Sequence, residues 1–316
     1  MTEETNPPTD DQGHGETAAT RCGFVAIVGA PNAGKSTLVN RLVGTKVSIV
    51  SPKVQTTRAR VLGIALDEER GAQVVFIDTP GIFAPKRRLE RAMVHAAWSG
   101  AADADLIALV VDAERGLNDD VRAIIEKLKE TGRRAVLALN KIDLVKRDSL
   151  LALTAELDAC GIFDKVFMIS AEKGDGTADL LRFFSDSVPE GPWHFPEDQV
   201  SDMPMRLLAA EITREQIFRQ LHQELPYSAN VETDQWEERE DGSVRIDQTI
   251  YVQREGQKAI VLGKQGRQIK ALGALARSEL EEMLERRVHL FLFVKVRENW
   301  LEDRQHYQGM GLDFDV

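Results

Sequence analysis

The chain has 316 residues, of which 43% are hydrophobic and 29% are charged, and its formal net charge is −11. This length predicts about two domains, each with a core of its own, and the composition is that of an ordinary soluble globular protein. The longest aliphatic run, Leu106 to Val111, is far too short to span a membrane, and the acidity argues against broad, nonspecific binding to DNA or anionic lipid, although a local basic site stays open.

The first 20 residues are acidic and contain neither lysine nor arginine. They have no apolar centre, so they fit neither a secretory signal nor a mitochondrial presequence, and we expect a disordered acidic tail over residues 1–20. The only cysteines are Cys22 and Cys160. They imply no disulfide framework, so we expect a cytoplasmic protein.

Residues 21–189 alternate between short apolar runs and longer segments with helical spacing. Two consecutive runs, residues 59–66 and 72–78, are joined through a polar turn and predict a hairpin. The other runs are each followed by a helical segment and lie at residues 24–29, 105–112, 134–140 and 165–170. Continuous apolar strands separated by helices predict an α/β domain with a mostly parallel, doubly wound sheet, to which the hairpin adds one antiparallel edge strand.

A second domain follows a break in regular structure. Residues 188–199 contain three prolines and a glycine, so we predict a linker over residues 190–204 and a domain over residues 205–316 that ends in a C-terminal helix and tail. The pattern after the linker predicts a helix, a hairpin turning at Asp241-Gly242, a helix and a last strand, an α+β arrangement. We also expect residues 260–262 to be a strand that runs directly into a glycine-bracketed turn.

The stretch Gly-Ala-Pro-Asn-Ala-Gly-Lys-Ser-Thr, residues 29–37, matches the phosphate-binding loop pattern and lies between a predicted strand and a predicted helix. Its glycines let backbone N–H groups surround phosphates. Lys35 supplies a cation to the β- and γ-phosphates, and the Ser36 hydroxyl is placed to ligate Mg²⁺. The stretch therefore predicts a nucleoside triphosphate site.

Three further motifs follow their own predicted strands. In Asp-Thr-Pro-Gly, residues 78–81, Asp78 is placed to hold Mg²⁺ through water, and the Gly81 N–H can approach the γ-phosphate. In Asn-Lys-Ile-Asp, residues 140–143, the Asp143 carboxylate can accept two hydrogen bonds from guanine. Adenine would leave this carboxylate buried and unpaired, a costly mismatch.

The remaining contacts expected around the base come from the same strand ends. Asn140 would bond the base, the Lys141 stem would cover its face, and the Ala171 N–H would reach guanine O6. The predicted nucleotide-binding residues are Gly29, Ala30, Pro31, Asn32, Ala33, Gly34, Lys35, Ser36, Thr37, Asp78, Thr79, Pro80, Gly81, Ile82, Asn140, Lys141, Asp143, Ser170, Ala171 and Glu172.

These motifs resemble those of the translation-factor-related GTPases. Together with residues 51–58 (SPKVQTTR) and the later Gly-Lys-Gln-Gly, they are similar to the Era family of bacterial GTPases, from about Phe24 to the C-terminus. The resemblance implies a P-loop GTPase domain followed by a smaller type II K-homology domain of α+β structure. It also implies that Thr57 completes Mg²⁺ coordination in the GTP state, with Thr56 as the neighbouring alternative. The implied metal ligands are Ser36, Thr57 and Asp78, and the implied catalytic residues are Lys35, Thr57 and Gly81.

Ile82 departs from a common GTPase pattern, because many regulatory GTPases have a water-orienting glutamine there. An aliphatic side chain cannot orient water, so we expect slow intrinsic hydrolysis. In relatives that share this substitution, a potassium ion near the P-loop asparagine can replace an arginine finger, and Asn32 occupies that position here. The resemblance therefore adds K⁺ to Mg²⁺ as an implied cofactor.

The stretch Gly-Lys-Gln-Gly, residues 263–266, opens a helical segment and carries a concentration of positive charge. Residues 254–270 hold five basic residues and one acid, whereas residues 201–316 hold 16 basic and 21 acidic residues. Paired glycines at such a junction let the backbone pack against a sugar-phosphate chain, as in K-homology domains, whose groove accepts single-stranded RNA. The predicted RNA-binding residues are Lys258, Gly263, Lys264, Gln265, Gly266, Arg267 and Lys270.

By resemblance, the implied partners are GTP or GDP, the 3′ end of small-subunit (16S) ribosomal RNA and the small ribosomal subunit during its maturation. We expect a monomer, and the resemblance adds loose peripheral association with the inner membrane, on which these residues give no evidence. The alternative is a GTPase that signals through protein or membrane partners, with the second domain as an interaction module. The net charge favours that alternative, and the basic turn argues against it.

Overall fold

In this computed structural model, residues 20–222, 225–298 and 300–316 are described. The expected acidic tail, apart from residue 20, lies outside these residues. Within the described ranges, no helix is long and apolar enough to cross a bilayer.

The first part of the chain forms a six-stranded sheet with the order β2-β3-β1-β4-β5-β6. Its strands are β1 (Arg21–Val28), β2 (Val61–Asp67), β3 (Ala72–Asp78), β4 (Leu106–Asp112), β5 (Ala135–Asn140) and β6 (Phe163–Met168). All neighbours pair in parallel except β2, which pairs antiparallel with β3 at the edge. The predicted parallel sheet with one antiparallel edge strand is confirmed.

Helices cover both faces of this sheet. They are α1 (Lys35–Val43), α2 (Arg88–Asp103), α3 (Asp119–Glu130), α4 (Arg147–Asp158) and α5 (Thr177–Ser187). The core on one face takes side chains from α2, α3 and α4, and the core on the other takes them from α1 and α5. All seven residues of β3 are buried, which explains its continuous apolar run. The carboxyl ends of β1, β3 and β5 therefore bring their following loops to one edge of the sheet.

The second part of the chain forms a three-stranded sheet with the order β7-β8-β9. Its elements are α6 (Met205–Gln220), β7 (Asn230–Glu238), β8 (Val244–Val252), α7 (Glu255–Leu262), α8 (Arg267–Leu284), β9 (Val288–Val296) and α9 (Arg304–Gly309). The predicted hairpin forms, since β7 and β8 are antiparallel, whereas β8 and β9 are parallel. The expected α+β arrangement of this part of the chain is confirmed.

The prediction of a strand at residues 260–262 is wrong, because these residues form the end of helix α7. A short apolar run does not distinguish a strand from a buried helix segment. Here Gln257 and Val261, four residues apart, are buried, while Ile260 is 56% exposed. The Gln257 side chain also accepts a hydrogen bond from the Gln253 N–H at 2.8 Å, which supports the start of the helix. The glycine-bracketed turn therefore joins two helices.

The two parts of the chain contact each other along α6 and at the C-terminus. Buried residues lie on all sides of α6, as expected for a helix enclosed between two layers. At the other contact, Tyr307 and Leu312 pack with Leu89, Ala92 and Met93 of α2. The loop between α1 and β2 and the helix that follows β3 are therefore both held by the second part of the chain.

Candidate nucleotide and RNA sites

Three predicted metal ligands converge at the carboxyl end of β3. The Ser36 hydroxyl donates to Asp78 Oδ2 at 2.7 Å, and the Thr57 hydroxyl oxygen lies 2.8 Å from Ser36 Oγ. Ser48 also donates to Asp78 Oδ2, at 2.6 Å. Asp78 is fully buried, and its second oxygen, Oδ1, has no hydrogen-bond partner among the described residues.

This arrangement fits a hard divalent cation. Two hydroxyl oxygens and a carboxylate are oxygen donors of the kind that Mg²⁺ prefers, and an unpaired buried carboxylate oxygen is costly without a cation or a donor. Burial raises the pKa of Asp78, and the hydroxyls of Ser36 and Ser48 oppose that effect. A bound cation would favour the charged carboxylate.

The adjacent threonines face different partners. The Thr56 hydroxyl donates to the Lys53 carbonyl at 2.8 Å and lies 2.6 Å from Ser51 Oγ. It is therefore engaged within its own loop, whereas Thr57 reaches the Ser36 hydroxyl. This geometry favours Thr57 over Thr56 as the metal-facing residue.

Lys35 lies at the start of α1 and is buried. Its ammonium group donates to the carbonyls of Gly29 and Ala30, both at 3.1 Å. Burial lowers its pKa to about 8, although the Asp78 carboxylate opposes the shift. A cation held only by backbone carbonyls gains most from anionic phosphates, because they would stabilise its charged form.

The predicted γ-phosphate segment packs directly on the phosphate loop. The Ile82 N–H donates to the Gly29 carbonyl at 3.1 Å. A Cβ at Gly81 would lie 2.9 Å from Pro31 Cα, so only glycine fits this approach. Thr79 and Pro80 are buried behind it, and the Thr79 hydroxyl donates to the Ile27 carbonyl at 2.7 Å.

Asn140 connects the loops expected around the base. Its amide nitrogen donates to the Ala33 carbonyl at 2.8 Å, and its Oδ1 accepts from the Ala171 N–H at 2.9 Å. The Ala171 N–H, which we expected at guanine O6, is thus shared with Asn140 in this structure. The Glu172 carbonyl accepts from Arg41 at 2.5 Å, so this position contributes through its backbone.

Asp143 and Lys141 are held by neighbours at the same edge. A hydrogen bond from Ser170 is the main cause that keeps the pKa of Asp143 below its usual value, and Lys173 lies 3.4 Å from the carboxylate. Asp143 is therefore ionised at neutral pH and can accept hydrogen bonds. The Lys141 ammonium group donates to Asp112 at 2.6 Å, which fixes its stem.

A cavity of 310 Å³ lies at this edge of the sheet. It is lined by Pro31, Asn32, Gly34, Lys35, Ser36 and Thr37 of the phosphate loop, by Gly81 and Lys141, and by residues 49–53 and 55–57, which include Thr57. The structure thus brings the phosphate, metal and base residues predicted from sequence to one site.

Two residues of this site were missed from the sequence. Ser48 bonds to Asp78, and Asp112 bonds to Lys141. Neither stands in a recognisable motif. The position of Asp112 at the end of β4, beside the end of β5, was the one signal that could have identified it.

The turn at residues 263–266 requires its first glycine. Gly263 has φ 68° and ψ 174°, and a Cβ there would lie 2.6 Å from Gln268 Cβ. Gln265 and Gly266 have φ 54° and 74°, and a Cβ at Gly266 would meet open space. Helix α8 therefore begins from a tight, surface-exposed turn whose backbone can be approached closely.

The basic residues near this turn are available to a ligand. Lys264, Gln265, Arg267 and Lys270 are exposed, and Lys258 is half-buried. Of the four cations Lys258, Lys264, Arg267 and Lys270, Lys258 is the one that has a carboxylate partner among the described residues, Glu255 at 3.9 Å. The other three, Lys264, Arg267 and Lys270, form a group of exposed cations on an acidic protein, which is a ready site for a polyanion.

Apolar side chains flank the basic turn in two ways. Val261 and Leu272 are buried in the core beneath it, whereas Ile260 and Leu275 are 56% and 51% exposed. Exposed apolar residues beside free cations suit the faces and backbone of unstacked nucleotides.

Comparisons with known proteins agree with both sites. Residues 24–141 match the family model of the 50S ribosome-binding GTPases, and residues 224–301 match that of the KH domain. The chain is 59% identical over 314 residues to GTPase Era of Agrobacterium fabrum, covering 99% of this chain and 98% of the relative. It is 61% identical over 295 residues to GTPase Era of Rhizobium meliloti, covering 93% and 94%.

Two solved structures share this architecture. One is Era in complex with MgGDPNP and nucleotides 1506–1542 of 16S ribosomal RNA, with a TM-score of 0.88, 38% identity and coverage of 94% of this chain and 100% of that chain. The other is an Aquifex aeolicus Era variant bound to GDP·AlF4⁻, with a TM-score of 0.87, 38% identity and the same coverage.

Proposed function

Because the chain belongs to the Era family of GTPases, we propose that it is a GTP-driven switch whose KH domain binds the 3′ end of small-subunit ribosomal RNA. The first domain is a P-loop GTPase domain, and the second is a KH domain. The solved relative that binds nucleotides 1506–1542 of 16S ribosomal RNA supports this RNA as the ligand. The observation that carries the proposal is the exposed basic turn at residues 263–266 on the chain that holds the nucleotide site.

In the nucleotide site, Ser36, Thr57 and Asp78 would hold Mg²⁺, which supplies charge neutralisation at the β- and γ-phosphates when bound. Lys35 binds the same phosphates, and the Gly81 N–H is directed at the γ-phosphate. Asp143 accepts hydrogen bonds from the guanine edge, which excludes adenine, and Lys141 covers the base. Asn140 holds the loops around the base together through its hydrogen bonds with Ala33 and Ala171.

We include potassium in the proposal because Ile82 cannot orient a water molecule. Asn32 has φ 64°, and its amide nitrogen donates to the Pro52 carbonyl at 2.9 Å. The asparagine therefore already connects the phosphate loop to residues 49–57, and we propose that its amide oxygen is the atom that contacts a monovalent cation. Faster hydrolysis in K⁺ than in Na⁺ at equal ionic strength supports this; equal rates remove potassium from the mechanism.

The switch acts through the loop around Thr57 and the segment after Gly81. γ-Phosphate and Mg²⁺ order such loops in GTPases, and here both are packed against the second domain. We propose that this ordering changes the docking of the KH domain and makes its groove available to RNA. We propose that the protein binds this RNA during maturation of the small ribosomal subunit, and we expect it to act in the cytoplasm.

The rival function is a GTPase that signals through protein or membrane partners. The exposed cations at Lys264, Arg267 and Lys270 favour RNA, because a general protein-interaction module has no need of a phosphate-accessible glycine turn. Peripheral association with the inner membrane and a monomeric state stay predictions.

The test is a fluorescence-anisotropy titration of labelled RNA carrying the 16S 3′ end, with GTP analogue, GDP or no nucleotide. Tight binding that is strongest with GTP analogue supports the proposal. Gly266→Asp should abolish it, because the substitution places a carboxylate in open space beside the turn where a phosphate would lie. Replacing Lys264 and Arg267 with alanine should weaken it without changing GTP affinity.

Arg277→Ala is the matched control for the titration, since Arg277 is exposed further along α8 and away from the turn. It should change RNA binding little. Absence of RNA binding in every nucleotide state would favour the rival function. If Arg277→Ala and Arg267→Ala weakened RNA binding equally, the overall charge of the domain, and not the position of the turn, would account for RNA binding.

A further inference from the structure

Arg214 lies in α6 of the KH domain, and its side chain is only 1% exposed. Its guanidinium Nη2 donates a 2.6 Å hydrogen bond to the main-chain carbonyl of Thr56, across the contact between the two domains. This carbonyl belongs to the peptide bond that leads into Thr57. The second domain therefore holds the backbone that carries the metal-facing threonine.

The residue after Thr57 is anchored to the same domain. The Arg58 guanidinium is buried, and it donates to the carbonyl of Ala229 at 3.0 Å and to that of Tyr227 at 3.1 Å. Thr57 thus lies between two backbone positions that KH-domain residues hold from either side. Its hydroxyl reaches Ser36 Oγ at 2.8 Å from this position.

The arrangement around Arg214 is poor for stability alone. Its Nη1 is buried and has no hydrogen-bond partner among the described residues. Glu211 pairs with it through a 2.7 Å bond from Nε, yet Arg214 also lies close enough to a second buried cation, Arg58, to help lower the pKa of Arg58, which burial lowers most. Incompletely satisfied buried charges are costly and are a recognised mark of functional constraint.

We propose that Arg214 is a positioning residue for GTP hydrolysis, which acts by holding the Thr56–Thr57 peptide so that Thr57 completes the Mg²⁺ site. This inference rests on the proposed GTP switch. Under it, the RNA-binding domain contributes to the catalytic centre of the GTPase domain, and movement of α6 changes the hydrolysis rate directly. The domain that influences GTP hydrolysis thus belongs to the same chain as the GTPase domain.

The first experiment measures kcat and KM for GTP, the Mg²⁺ dependence of hydrolysis and GDP affinity in full-length Arg214→Gln. Losing a hydrogen bond from a charged donor predicts a roughly 10- to 100-fold fall in kcat and a higher half-saturating Mg²⁺ concentration. GDP affinity should not change, because Thr57 joins the metal only in the GTP state. Arg214→Lys, which keeps the positive charge and an N–H donor group, should restore part of kcat.

Arg219→Gln is the matched control. Arg219 also lies in α6 and donates to a carbonyl of the same loop, that of Val50 at 3.2 Å, but away from the threonines. Its kcat should stay near that of the wild type. An equal loss in both variants would mean that α6 docking in general, and not Arg214, supports hydrolysis, and would overturn the proposal.

A double-mutant cycle with Thr57→Ala distinguishes a role of Arg214 in positioning Thr57 from a general role of Arg214 in stabilising the fold. If Arg214 acts through Thr57, adding Arg214→Gln to Thr57→Ala should lower kcat no further, whereas additive losses contradict the proposal. If the wild-type protein does not hydrolyse GTP, the proposed function fails; if it does and Arg214→Gln leaves kcat and Mg²⁺ dependence unchanged, only this inference fails. Should Arg214→Gln not fold, Arg214→Lys takes its place in the same cycle.

Discussion

The side-chain amide of Asn140 donates a 2.8 Å hydrogen bond to the carbonyl of Ala33, from a position 107 residues further along the chain. The same side chain accepts from Ala171 at 2.9 Å. One asparagine therefore ties the phosphate loop to both base loops. We therefore expect that a substitution that disrupts the Asn140 contacts weakens phosphate binding and base binding together.

Gly34→Ala should sharply weaken binding of both GTP and GDP. A Cβ at Gly34 would lie 2.3 Å from Asn140 Nδ2, and the residue also has φ +95°. Gly44→Ala is the control, because Gly44 ends the same helix with φ +85° and nothing lies within 4 Å of its Cβ. It should lower the melting temperature slightly and leave affinity unchanged. Isothermal titration with GDP distinguishes the two variants, and equal affinities would show that the close approach of Gly34 to Asn140 does not support nucleotide binding.

Asp143→Asn should convert the base preference from guanine to xanthine. The carboxylate accepts from the N–H groups of guanine, whereas an amide would present a donor and suits a base with a carbonyl at that edge. Because the substitution removes the hydrogen bonds between the guanine N–H groups and a charged acceptor, we expect GTP affinity to fall by about 10- to 100-fold. Competition between GTP and XTP measures this. An unchanged preference would remove Asp143 from base recognition.

Thr57→Ala should lower kcat and the affinity for a GTP analogue by about tenfold or more, because it removes a metal-facing hydroxyl. Affinity for GDP should stay the same. Thr56→Ala is the paired control, since its hydroxyl bonds within its own loop. Stopped-flow nucleotide binding in Mg²⁺ tests both variants, and a larger effect from Thr56→Ala would reverse the assignment.

Lys35→Met should change how the stability of the nucleotide-free protein depends on pH. Burial lowers the folded-state pKa of Lys35 from 10.5 to about 8. Between these values the unfolded chain binds more protons, so this group raises the free energy of unfolding as pH rises from about 8 to about 10.5, by about 3 kcal/mol at most.

The measurement is urea unfolding of wild type and Lys35→Met across that pH range. The difference in unfolding free energy should move in favour of the wild type as the pH rises and be constant below pH ~7. A difference that is constant throughout would show that Lys35 keeps an ordinary pKa in the fold. Saturating GDP should remove the effect, because phosphates stabilise the charged form.

Much of the GTPase domain was predictable because its signals are local. Strands buried on both faces are continuous apolar runs, as in β3, and each nucleotide motif directly follows such a run. Since parallel strands place their carboxyl ends at one edge, the order of motifs also predicted that Ser36, Asp78 and Asn140 would meet. The prediction of a strand at residues 260–262 failed because a run of three apolar residues satisfies either helix or strand periodicity.

The sequence by itself determined the guanine-nucleotide motifs, the KH-type turn and the α/β and α+β character of the two parts, since all of these depend on neighbouring residues. Only the tertiary structure favours Thr57 over Thr56 as the metal-facing residue, places Ser48 and Asp112 in the site, and brings Arg214 to the Thr56 carbonyl. Those relationships join residues far apart in the chain through side-chain direction and domain docking. A local sequence pattern predicts neither the side-chain directions nor the domain docking, because both depend on packing between helices and strands that are distant in the chain.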